Sequence, residues 1–221
     1  MPRRIQARLA TLYDVELGVD VEDFVCDEET ARSLGGDDAM RRGEVLFVVP
    51  EESGARVALF VEPGARVLVG DAWMAESAGF QRACLATEGV SHFVYLAFRA
   101  DHEIAVSELE LELQAEIDKW ALGVLAPVEE LAHPMRGRGA TLIALRDRSR
   151  RLRERLFAHA RFLDPAGSER GDRYRAAVRL ASRYARDLEA AMLDRGDLDG
   201  LTRELRRFYR LGAREKIERI G

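Results

Sequence analysis

Four side chains stand at spacings that suit chemistry. Glu88 and His92 lie four residues apart, and so do Glu112 and Glu116. On a helix each pair projects from one face. Two such helices side by side would offer an imidazole and three carboxylates to a divalent metal ion or to acid–base catalysis. The first pair reads Glu-x-x-x-His, which departs from the Glu-x-x-His of carboxylate-bridged di-iron bundles. The plainer expectation is that Glu108, Glu112 and Glu116 form the solvated face of an amphipathic helix, and that His92 is a satisfied core or boundary histidine. Like charges four apart cost only about a few tenths of a kcal/mol per pair on a helix, so such a row needs no functional cause.

A second set is basic. Arg146, Arg150 and Arg153 recur along one stretch, and Arg175, Arg179, Arg183 and Arg186 along another. Such rows can follow a phosphate backbone or an acidic protein surface. Asp147, Glu154, Asp172, Asp187 and Glu189 are interspersed among them, and no RNP, zinc-finger or clear helix-turn-helix pattern accompanies them. A protein partner or self-association is therefore the first expectation, and nucleic acid the alternative.

Other chemistries lack their motifs. No GxGxxG or GxxxxGK[ST] follows a strand-like segment, and no GxSxG elbow occurs. Ser91 and His92 are sequence neighbours and do not by themselves make a nucleophile and base. The two cysteines, Cys26 and Cys84, are far apart with no CxxC spacing, and read as small buried hydrophobes. No apolar run reaches the length needed to span a bilayer, and Met-Pro-Arg-Arg-Ile-Gln-Ala-Arg is not followed by an apolar leader core, so a cytoplasmic protein without a membrane role is expected.

The elements that must position these residues divide by composition. Residues 1–135 hold 11 basic and 26 acidic side chains, and residues 136–221 hold 23 and 13, within a net charge of −5. All basic residues except Lys119 and Lys216 are arginine. Alternation of Val15, Leu17, Val19 and Val21 with polar residues predicts a strand within 5–25. Asp27 to Gly35 reads as a short capped helix. Glu44–Pro50 and Ala55–Val61 read as a β-hairpin, with Arg66–Val69 as a third strand. Asp71–Arg99 is helix-compatible, and Phe93–Phe98 is apolar enough to be core. Ser107–Trp120 reads as a helix opened by a capping box. Beyond Gly139, one seam runs through Leu142, Leu145, Ser149, Leu152, Leu156, His159 and Leu163, and another from Tyr174 to Met192. Shorter helices follow near 201–211 and 213–220.

The expected architecture is α+β: a small antiparallel sheet packed against central helices, then a basic all-helical hairpin or bundle. An acidic domain is expected over 1–126, a linker over 127–139 and a basic helical domain over 140–221. The function that fits is a non-catalytic adaptor or regulatory protein, against a metal-dependent enzyme or a nucleic-acid binder.

Overall fold

A computed structural model describes residues 1–52, 54–67, 72–75, 77–125 and 138–221. It has the α+β architecture, and the chain separates into two compact units. The first comprises Met1–Thr11 and Val15–Ala105, the second Leu12–Asp14 and Val106–Gly221. The linker expected over 127–139 falls, up to residue 137, outside the described residues.

In the first unit, β1 (Glu44–Glu51) and β2 (Gly54–Val61) form an antiparallel hairpin in register from Glu44↔Val61 to Glu51↔Gly54. The alternating β-branched and aromatic residues are those of a half-buried strand pair. Helices α2 (Glu28–Arg42) and α3 (Ser77–Asp101) pack on it. Asp27 caps α2 as expected, accepting from the Thr30 amide at 2.8 Å. The helix does not stop at Gly35. It is interrupted at Gly36 (φ 61°, ψ −153°), resumes, and ends where Gly43 takes the left-handed conformation (φ 77°). Phe93, Val94, Tyr95 and Phe98 are buried in α3, in keeping with their apolar run.

Gly89 sets how closely α3 approaches the hairpin. A Cβ there would lie 3.1 Å from both Glu44 Oε2 and Leu59 Cδ1, and 3.2 Å from Val61 Cγ2. The missing side chain is what lets the helix backbone sit on β2.

Two expectations for this unit fail. Residues 15–21 form no strand; instead α1 (Pro2–Tyr13) precedes an irregular stretch and a 3-10 turn at Val21–Phe24. Ile5, Leu9 and Tyr13, four apart, are all buried on α1, whereas Val19 of the alternating stretch is exposed. Helical periodicity thus won over a short alternation, and the chain meets β2 only past it, where Val25 makes an isolated parallel bridge with Leu59. Nor do Arg66 and Val67 begin a third strand. Pro63–Ala65 makes a 3-10 turn, and the Arg66 guanidinium donates to the carbonyls of Val61 (2.6 Å) and Cys26 (2.8 Å). Leu68 and Val69 lie outside the described residues.

In the second unit α4 (Glu108–Leu125) is central, packed on α5 (Arg138–Arg153) and α6 (Glu169–Ala191). Every residue from Glu112 to Val124 is buried, among them the fully enclosed Trp120. Helix α5 runs into one π-helical turn, Glu154–Ala158, closed by the His159 amide on the Glu154 carbonyl at 3.0 Å. The first seam therefore ends early: Leu145, Ser149, Leu152 and Leu156 are buried, but His159 and Leu163 are exposed. The second seam holds, with Val178, Ala181, Ala185 and Leu188 buried on α6. Helices α7 (Leu198–Arg210) and α8 (Ala213–Ile220) complete the unit.

The segment Leu12–Asp14 is clamped into this second unit. Asp14 takes the left-handed conformation (φ 54°) that ends α1. Arg206 donates to the Leu12 carbonyl at 2.9 Å, and Arg210 to those of Tyr13 and Asp14 at 3.0 Å each. Helix C-termini leave carbonyls without intrahelical partners, and a cationic donor there meets the negative end of the helix dipole.

Candidate functional site

Glu88 and His92 lie one turn apart on α3, Glu88 half-buried and His92 buried. Within the same unit, His92 Nδ1 is 3.9 Å from the buried Glu44 Oε2 at the start of β1. Glu112 and Glu116 belong to α4, in the other unit. Glu116 is held by Lys119, whose Nζ donates to Oε1 at 2.8 Å. Each pair thus meets further charged groups inside its own unit. Among the described residues, no group of three or more His, Cys, Asp and Glu side chains could hold a metal ion.

The expected solvated face is corrected by these contacts. Glu108 alone of its row is exposed, and it pairs with Arg173 of α6 at 2.5 Å; Glu112 and Glu116 are buried. A carboxylate is buried at tolerable cost only when a cation or several donors accompany it. For Glu116 that cation is Lys119, one turn further along α4.

A buried polar network appears in the second unit that the sequence reading did not single out. The Tyr13 hydroxyl donates to Asp118. Gln114 Nε2 donates to Asp118 Oδ1 (2.8 Å) and Tyr13 Oη (3.2 Å), and Gln114 Oε1 accepts from Lys216 Nζ at 2.7 Å. The Tyr13 ring stacks on Tyr209 with centroids 3.9 Å apart. Burial, then the nearby Asp118 carboxylate, pushes the Tyr13 phenol well above its ordinary value. Tyr184 is likewise raised, by burial and then by Glu204. One signal was available: Lys119 and Lys216 are the chain's two lysines, and they are 5% and 0% exposed. A chain that uses arginine everywhere else keeps lysine where a compact ammonium must fit inside.

The seven arginines separate into engaged and presented groups. Arg146 donates to the carbonyls of Leu193 (3.1 Å) and Asp194, just past the end of α6. Arg153 donates to Glu189 at 3.0 Å, with Arg150 3.9 Å from the same carboxylate. Glu189 also accepts from Ser149 (2.6 Å), which in turn accepts from the Trp120 indole at 3.2 Å. Arg175 donates to the Gly171 carbonyl (2.8 Å) and the Asp164 carbonyl (3.2 Å), and its guanidinium sits 4.5 Å from the centre of the Phe162 ring. Arg179 and Arg183 are exposed and make no ion pair among the described residues; Arg186 is exposed, 3.9 Å from Asp187.

At 3.6 residues per turn, Arg175, Arg179, Arg183 and Arg186 fall within an arc of about 80° on α6, opposite its buried face, over a length of about 16 Å. Phe162 and Leu163, 36% and 60% exposed, lie at the end of this stripe where Arg175 begins it. No helix among the described residues is long and apolar enough to cross a membrane. Comparisons with protein-family models, with curated proteins and with solved structures gave no match.

Proposed function

We propose that this protein is a non-catalytic adaptor or regulatory protein that binds an acidic macromolecule through the outward arginine stripe of α6. The observation that carries the reading is the contrast within one unit. Arg146, Arg150 and Arg153 are engaged by carbonyls and by Glu189, whereas Arg179 and Arg183 face solvent without an acidic partner among the described residues. Arginines that serve folding are drawn to carboxylates and helix ends. Arg179 and Arg183, left out of that pairing on the face opposite the core, are placed to meet something outside their own unit.

A metal-dependent reaction at Glu88, His92, Glu112 and Glu116 has less support, because Glu116 already neutralises Lys119 and His92 stands beside Glu44. The test is titration of labelled poly-L-glutamate and of mixed-sequence duplex DNA with the protein, followed by fluorescence anisotropy. At low ionic strength at least one polyanion is bound, the affinity falls as salt is raised, and Arg179→Glu/Arg183→Glu abolishes it. Failure of both to bind at low salt would remove the reading.

A further inference from the structure

We infer that the occupant of the α6 stripe is an acidic amphipathic protein helix, with carboxylates set along the arginines and an apolar anchor over Phe162 and Leu163. This rests on the reading of the stripe as a binding surface and adds the chemistry of the partner.

Two features favour a protein helix over a nucleic acid. The first is the apolar end. Phe162 and Leu163 are exposed beside Arg175, and a phosphate backbone gains nothing from covering them, whereas leucine-type side chains do. The second is the interruption of the charge. Asp172 and Asp187 are exposed on or beside the same face, Asp187 at 3.9 Å from Arg186. Duplex DNA presents a dense, continuous row of negative charge, so these carboxylates would stand against it. A helix with acids at i, i+4 and i+7 meets the arginines at their own spacing, and leaves room for a cation or a gap opposite each aspartate.

Anisotropy with three labelled probes tests this: a synthetic helical peptide with glutamates at i, i+4 and i+7 and two leucines beyond one end, the same peptide with serines for the leucines, and a mixed-sequence DNA duplex of similar length. The leucine peptide binds best, and the serine peptide binds about tenfold more weakly. Phe162→Ser/Leu163→Ser erases the difference between the two peptides. Arg179→Glu/Arg183→Glu weakens both by at least about tenfold. All four positions are on the surface, and unchanged melting temperatures confirm that the variants fold.

DNA bound as tightly as the leucine peptide overturns the inference and leaves the stripe as a nucleic-acid surface. Equal binding of the two peptides overturns the apolar anchor. Concentration-dependent self-association that Arg179→Glu/Arg183→Glu dissolves makes the occupant a second copy, and overturns it too. If neither the peptides nor DNA bind, the inference and the proposed function both fall.

Discussion

Tyr13 is joined to residues a hundred positions away by hydrogen bonds made entirely out of contact with water. Replacing it with phenylalanine keeps the stacking on Tyr209 but takes a donor from the buried Asp118 and an acceptor from Gln114. The expected loss is about 1–3 kcal/mol in urea unfolding. The same side chain gives a pH dependence of definite sign. Its phenol is raised in the folded protein, so the native state keeps the proton while the unfolded chain releases it near the ordinary value of 10.0. The stabilisation is complete below that pH and is lost as pH rises above it. Unfolding followed through the alkaline range should show a shallower decline for Tyr13→Phe than for the parent chain. Beyond the rarity of lysine, little of this network is legible in the sequence. Only Gln114 and Asp118, four apart on α4, share a short-range spacing; the fold alone brings Tyr13 and Lys216 to them. The outward arginines of α6 were legible, because a stripe along one helix face is a local property of sequence.

At the scale of elements, the outcome depended on whether a segment's partners were near or far along the chain. The hairpin was readable because each strand's alternation finds its complement within a few residues, and the Asp27 cap because its acceptor and donor are three apart. The acidic rows of α4 misled. Glutamates at four-residue spacing look solvent-facing, as Glu108 is, but Glu112 and Glu116 are buried, Glu116 against Lys119. The strand expected within 5–25 gave way to α1, on which Ile5, Leu9 and Tyr13 are buried at helical spacing, and pairing with β2 is left to an isolated bridge at Val25. Gly89 carries a prediction at this scale. Gly89→Val would push two methyl groups into Leu59, Val61 and the Glu44 carboxylate, all at 3.1–3.2 Å from the Cβ position. Overpacking of this kind costs about 1–3 kcal/mol. Denaturant midpoints measure it, and a variant as stable as the parent would show that α3 can slide off the hairpin without penalty.

For the molecule as a whole, the charge division softens once the acidic α4 is counted with the helices it packs on. Residues 1–105 carry 10 basic and 19 acidic side chains, and residues 106–221 carry 24 and 20. The second unit is therefore close to balanced. Its exposed cations matter by position more than by number, which is why charge reversal at two sites on α6 is expected to have more effect than a comparable change elsewhere. That unit also recruits Leu12–Asp14 from near the start of the sequence, through Arg206 and Arg210 of α7. It cannot be completed until its last helices have been synthesised. The enclosure of Lys119 and Lys216 has a consequence of another kind: the folded surface offers no side-chain amine. Acylation of a lysine, and any enzyme that builds an isopeptide bond on one, would have to wait for the second unit to open. Under a brief exposure to an N-hydroxysuccinimide ester, peptide mapping should find both lysines unmodified in buffer and modified in denaturant. Their labelling rate on longer exposure in buffer would then read out how often this core breathes.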